Sequence, residues 1–154
     1  MIRDATPGDR PAIERLQQLL PEPAPALLDP VAGGELLVTT VQQAPGTKSV
    51  VVYMLWIPGD PVYVAEMAVL PAFRGEGRGS RLFRALFERH SSGTAVDLRV
   101  AATNEGARRL YRRLGFQCVE RLPEAYDAGH GYRMRYIVGD SDPAKTDDQI
   151  GADR

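Results

Sequence analysis

The densest chemical signal in the chain is the run Arg74, Gly75, Glu76, Gly77, Arg78, Gly79 and Ser80. Glycine on alternate positions lets a backbone turn tightly, with its N–H groups aimed into one concavity. The run follows strand-like Val69-Leu70-Pro71 and enters a helical pattern, so the open N–H groups and positive end of a helix are added. Such a turn suits a pyrophosphate, and Arg74 and Arg78 add positive charge there. A Walker loop would end in Gly-Lys-Ser/Thr, which is absent, and a dinucleotide fingerprint would need a third glycine where Ser80 stands. Asp97 lies roughly twenty residues on, but it begins its strand instead of ending it. A purely structural turn remains open at this point.

Other chemically capable residues are few. Tyr111 reads as a core aromatic on the stripe with Leu110 and Leu114. Glu66, on a strand beside Val64 and Ala68, reads as an exposed strand residue or as half of an ion pair, with Arg99 the candidate partner. The one cysteine, Cys118, forms no internal disulfide, and with no histidine placed to activate it, it reads as a small core residue. His90 and His130 lack companions at ligand spacing, so no metal site is expected.

The surroundings are those of one globular domain. The chain has 154 residues and a formal net charge of −1, with arginines interleaved among carboxylates. Neither nucleic acid nor a membrane surface is an expected partner. No apolar run is long enough to span a bilayer, so a cytoplasmic protein is the expectation.

Periodicity supplies the elements that must hold the turn. A short strand opens at Ile2, Asp9 is expected to cap a helix with Pro11 in its first turn, and Ala12, Ile13, Leu16, Leu19 and Leu20 mark one helical face. The proline-rich segment 21–34 reads as a loop, with or without a short helix, suited to face a substrate. Strand-like runs at 35–42, 49–57 and 62–70 form an antiparallel meander, and the middle one, apolar on both faces, should be central. A helix with Leu82, Phe83, Leu86 and Phe87 follows the turn, then a strand at 95–101. Thr103 or Asn104 caps the next helix, whose stripe is Ala107, Leu110, Tyr111 and Leu114, and Gly115 ends it. Strands at 116–122 and 132–138 close the domain, and residues 139–154 read as a polar, disordered tail. The fold class is thus α/β in the α+β sense. It is a mixed, mostly antiparallel sheet of six to seven strands with about four helices and a central parallel β-α-β unit.

Two motifs together carry a resemblance. Arg74-x-x-Gly77-x-Gly79, after a strand ending Val69-x-Pro71, resembles the acetyl-CoA motif of the GNAT superfamily. Asn104-x-x-Ala107-x-x-x-Tyr111-x-x-x-Gly115-Phe116 resembles its second signature, at the usual distance. The opening Ile2-Arg3-Asp4-Ala5-Thr6-Pro7-Gly8-Asp9 is similar to the superfamily's first strand and helix. The resemblance spans residues 1–138. It implies an acetyl-CoA-dependent N-acetyltransferase acting by direct transfer to a primary amine, of a small molecule or a peptide N-terminus, without a metal.

Roles then pass to matching positions. Backbone groups of Met67, Ala68, Val69 and Leu70 match those that meet the pantetheine arm and thioester. The amides of Gly75, Glu76, Gly77, Arg78, Gly79 and Ser80 match the pyrophosphate cradle. Asn104 matches a cofactor contact, although a helix cap explains it equally. Tyr111 matches the general acid. A phenol near 10 protonating a thiolate near 8.5 costs roughly 2 kcal/mol in water, a gap that a dry cleft closes.

The base is the departure. In the ribosomal-protein-alanine acetyltransferase group a Glu lies five residues before the Asn, and here that position is Arg99, which leaves Glu66 as the remaining carboxylate. An α-amine, costing only about 1 to 1.5 kcal/mol to deprotonate at neutral pH, needs the missing base least. Arg99 would also favour an anionic acceptor. Residues 124–130 are loosely similar to an acceptor-side hairpin. Many superfamily members are dimers, but no homodimer interface is legible. A CoA-binding module without transferase activity and a nucleotide-binding regulator are the alternatives.

Overall fold

The computed structural model describes residues 1–21, 23, 28, 33–126 and 129–139. Three expectations fall largely outside them: the substrate-facing segment within 21–34, the tip of the 124–130 hairpin, and the tail, of which only Gly139 is described. The strands are β1 (Ile2–Asp4), β2 (Glu35–Ala44), β3 (Thr47–Ile57), β4 (Val62–Val69), β5 (Ala95–Ala101), β6 (Gln117–Tyr126) and β7 (Gly129–Ile137). The helices are α1 (Arg10–Gln17), α2 (Arg78–Glu88) and α3 (Glu105–Leu114), with 3-10 turns at Pro7–Asp9 and Pro71–Phe73. The α+β class and a seven-stranded sheet agree with the expectation, and among the described residues there are three α-helices where about four were expected. Among the described residues no helix is long and apolar enough to cross a membrane.

The chain groups into two compact units. The first, Met1–Pro58 with Val64–Arg89, carries β1-β2-β3-β4 in spatial order. β1 pairs with β2, and β2 with β3, antiparallel. Every residue from Val51 to Trp56 is buried, as an inner strand covered on both faces requires. Ile13 and Leu16 of α1 pack with Val38, Tyr53, Leu55 and Ala68. Leu82, Phe83, Leu86 and Phe87, spaced to share one face, are the buried side of α2, which packs on β2 and β3.

Asp9 is the N-cap residue of α1 with Pro11 in the first turn, as expected, but its side chain makes no cap bond to that helix. Pro7 starts a 3-10 turn directly after Thr6, because its missing N–H costs nothing there. The Asp9 carboxylate therefore reaches back to accept from the Thr6 amide at 2.7 Å, forming a capping box. Arg3 donates to the same carboxylate at 2.7 and 3.0 Å. The Arg3 bonds, set against burial and aided by Thr6, hold the Asp9 carboxyl at about 2, down from 3.8.

The second unit, Gly59–Tyr63 with His90–Arg154, carries β5-β7-β6, all antiparallel. β5 and β7 stay in register from Ala95↔Ile137 to Ala101↔Gly131. Val62, Val96, Leu98, Val100, Leu114, Phe116, Met134 and Val138 are its buried apolar residues. β6 is the edge, with register shifts after Cys118 and after Leu122. That edge position overturns the expected core role of Cys118. It is exposed where, among the described residues, no strand lies beyond β6 and the ladder breaks beside it.

Candidate functional site

The turn after β4 is built from fixed backbone bonds on its near side and open amides on its far side. Leu70 N–H donates to the Val51 carbonyl at 2.8 Å, and Phe73 N–H to Leu70 at 2.8 Å. Arg74 closes this half twice: its amide donates to Pro71 at 3.3 Å and its Nε to the Val69 carbonyl at 3.0 Å. Of the strand-end groups that the resemblance points to, the Leu70 amide and Val69 carbonyl thus already serve the protein. Gly75 and Gly77 follow with φ of 81° and 78°, the left-handed region that glycine enters without strain. Gly77 is the N-cap of α2, and no side chain caps that helix end.

Among the described residues the amides of residues 75–80 therefore have no protein acceptor. Arg81 fastens the loop from behind, with its guanidinium on the Glu76 carbonyl at 3.1 Å and its amide on that of Gly77 at 3.0 Å. No atom lies within 4 Å of where a side chain on Gly75 would begin. The amides and open space fit a bound pyrophosphate. The charge differs from expectation at one position: Arg78 pairs with Glu76 and lies over the Phe73 ring at 5.0 Å, so it is partly neutralised.

Glu66 is placed differently from either sequence reading. Residues 62, 64, 66 and 68 of β4 are buried in alternation, and Ala68 lies in the α1 cluster. Glu66 shares that face and is 7% exposed. Its Oε1 accepts from Gln17 Nε2 at 2.8 Å and from the Tyr53 hydroxyl at 3.0 Å. Burial, with Glu66 beside it, pushes the Tyr53 phenol far above its ordinary range, so Tyr53 remains a donor. A buried carboxylate needs such donors. Gln17 lies one helical turn after buried Ile13, and Tyr53 alternates with Leu55. Those positions were the sequence signal for this cluster, although a polar residue on an apolar stripe does not announce its partner.

The second unit holds Asn104 and Tyr111. Asn104 accepts from the Ala107 amide at 3.2 Å, so its side chain caps α3. Gly115 ends the helix at φ 107°, with its amide on Arg112 and the Phe116 amide on Tyr111. That closure brings the Phe116 ring to 5.8 Å from the Tyr111 ring and 5.7 Å from Tyr136. Burial, then the charge of Tyr126, raises the Tyr111 phenol to about 12. Tyr126 lies across Gly131, where a Cβ would fall 2.5 Å from its ring and 2.6 Å from the Val100 carbonyl oxygen. A side chain at position 131 is therefore incompatible with this placement of Tyr126. Sequence reading singled out Tyr126 only as a hairpin residue.

Asp97, 3% exposed, accepts from Arg133 at 2.7 Å and from Arg135 at 2.7 and 3.0 Å. Burial pushes its carboxyl up, but the Arg135 and Arg133 bonds outweigh that and hold it low. Arg133 also pairs with Glu120 at 2.9 Å. Arg99 stands directly opposite Arg133, is exposed, and joins no ion pair among the described residues.

Comparisons with known proteins bear on the family and the fold. The family model of the acetyltransferase (GNAT) domain matches residues 34–118. The N-alpha-acetyltransferase RimI of Mycobacterium tuberculosis is 38% identical over 79 residues, covering 50% of this chain and 49% of that protein. The matched segments span half or less of the curated relatives' own lengths, 20% to 49%. Ard1 from Thermoplasma volcanium superposes with a TM-score of 0.75 at 28% identity, covering 90% of this chain and 97% of that one. Arabidopsis thaliana NAA60, solved with a bisubstrate analogue, superposes at 0.77 with 18% identity over 90% and 99% of the two chains, a likeness of fold.

Proposed function

The chain belongs to the acetyltransferase (GNAT) family, and from that premise we propose that it is an acetyl-CoA-dependent N-acetyltransferase acting on a primary amine. The observation that carries this reading is the run of amides at residues 75–80 with no protein acceptor, ahead of a helix with no side-chain cap. Those amides and the α2 dipole hold the two linked phosphates. Acetyl-CoA supplies an activated thioester, and the amine displaces its sulfur directly. A C–N bond forms, the C–S bond breaks, Tyr111 gives its proton to the sulfur, and the amine's surplus proton leaves to solvent.

The acceptor in this reading is an α-amine, of a peptide or a small molecule. RimI of M. tuberculosis is named as an N-alpha-acetyltransferase, and NAA60 was solved with a bisubstrate analogue. Position 99 carries no carboxylate, and the Glu66 carboxylate is engaged by Gln17 and Tyr53. An α-amine tolerates the lack of a dedicated base, since its deprotonation costs only about 1 to 1.5 kcal/mol at neutral pH.

The test is CoA release across an amine panel of peptides with free N-termini, amino acids, polyamines and aminoglycosides. We expect turnover with α-amines. A clear win for lysine side chains or polyamines contradicts the acceptor class. Acetyl-CoA binding with no release from any amine contradicts the enzyme and supports a non-catalytic CoA-binding module, which the Arg at position 99 favours.

A further inference from the structure

We propose that the Glu76 carboxylate is a built-in competitor for the carrier's pyrophosphate: it holds Arg78 in the empty turn, yields it when the carrier binds, and so lowers the protein's affinity for CoA. The inference rests on the carrier-binding reading of the turn given above. Both residues lie in the first unit and in the cradle itself, since their own amides belong to the open run 75–80. An anion seated on those amides is therefore within reach of both side chains. The turn carries three guanidinium groups, and they are held differently. Arg74 donates to the Val69 carbonyl at 3.0 Å and Arg81 to the Glu76 carbonyl at 3.1 Å. Each of these fastens main chain, and drawing either toward a ligand would undo the turn. Arg78 pairs instead with a side chain, the Glu76 carboxylate, and can change partner with the backbone left in place.

The two halves of the pair differ in freedom. The Arg78 side chain is 20% exposed and lies over the Phe73 ring at 5.0 Å, and the Phe73 amide is itself bonded to Leu70 at 2.8 Å. The Glu76 side chain is 56% exposed, and its chain neighbours Gly75 and Gly77 offer it no side chain to pack on. The carboxylate is thus the partner that can swing into water while the guanidinium stays on its ring. A phosphate group meets the guanidinium fork as a carboxylate does and carries more charge, so it competes for the same N–H groups on favourable terms. Once displaced, Glu76 remains two residues from Arg78 and returns as the carrier leaves, which speeds release of CoA. The exchange sets affinity without altering the amides that fit the turn to linked phosphates.

The experiment measures CoA affinity by calorimetry at low ionic strength, with no amine present. It uses the full chain, Glu76→Gln, Arg78→Gln and the double variant, each checked by thermal unfolding. Glu76→Gln should tighten CoA about fivefold, the size of one exposed ion pair that no longer has to be broken. In the Arg78→Gln background the same change should tighten CoA less than about twofold, since no guanidinium is left to release. Salt at about 0.5 M should shrink the fivefold gain. A folded Glu76→Gln protein that binds CoA no more tightly than wild type overturns the exchange and leaves the carrier site standing. So does a gain that persists undiminished in the Arg78→Gln background, which is simple repulsion of the phosphates by Glu76. No binding of CoA by any of the four proteins overturns the carrier site and the exchange together. Because the assay holds no amine, a failure of acetyl transfer bears on the transferase reading alone.

Discussion

In the proposed mechanism Tyr111 gives up a proton that it holds tightly. A phenol at about 12 facing a thiolate near 8.5 is uphill by roughly 5 kcal/mol, more than an unperturbed phenol would face. The same burial raises the departing thiolate, and the proton is needed only as the sulfur's charge develops. Tyr111→Phe should therefore lower kcat by about 100-fold or more with little change in the KM for acetyl-CoA. An unaffected kcat removes Tyr111 from the mechanism. The wild-type rate should also show no fall from Tyr111 ionisation below about pH 11, so a basic limb that disappears with Tyr111→Phe near pH 9 contradicts the assignment. Glu66 is the counter-case. Because its Oε1 is engaged by Gln17 and Tyr53, Glu66→Gln should lower kcat less than about tenfold, whereas a loss of 100-fold would make it the base. Asp9 carries a stability prediction. Its depressed carboxyl contributes above pH 4 and loses that contribution as pH falls from about 4 to 2, up to about 2 kcal/mol. Urea unfolding at pH 6 and pH 2.5 should show this drop in the wild-type protein, and Asp9→Asn should lack that part of it.

At the scale of elements, the helix ends were the most legible features. Asn104 and Gly115 bracket α3 as their residue types demand, because a side-chain acceptor and a left-handed glycine each answer a local backbone need. Asn104→Ala should cost about 1 kcal/mol of stability in thermal unfolding while leaving the affinity for acetyl-CoA within about twofold. A loss of affinity tenfold or greater, at unchanged stability, would make Asn104 a cofactor contact instead. Asp9 stands at the expected N-cap of α1, but its carboxylate turns back to the Thr6 amide, a partner that the 3-10 turn begun at Pro7 sets and the residue type does not announce. Cys118 missed for another reason: alternation marks a strand's two faces but does not say that the strand is an edge.

At the scale of the molecule, strand and helix order were readable because each element carries its own period, and so was the glycine turn between β4 and α2. The side-chain partnerships were not. Gln17, Tyr53 and Glu66 come from three separate elements, as do Asp97, Glu120 and Arg133 in the second unit. Such groups meet only once strand register is set, and register depends on bulges such as those at Thr39/Thr40 and Cys118/Glu120 that no local pattern announces. The central claim is that the amides of residues 75–80 grip the carrier's linked phosphates. A ¹H–¹⁵N titration of the protein with CoA tests it most directly. The amide resonances of Gly75, Gly77, Gly79 and Ser80 should shift saturably with CoA and stay in place with an equal concentration of NAD. Saturable CoA binding that leaves those four amides unmoved, or no binding of CoA at all, contradicts the account.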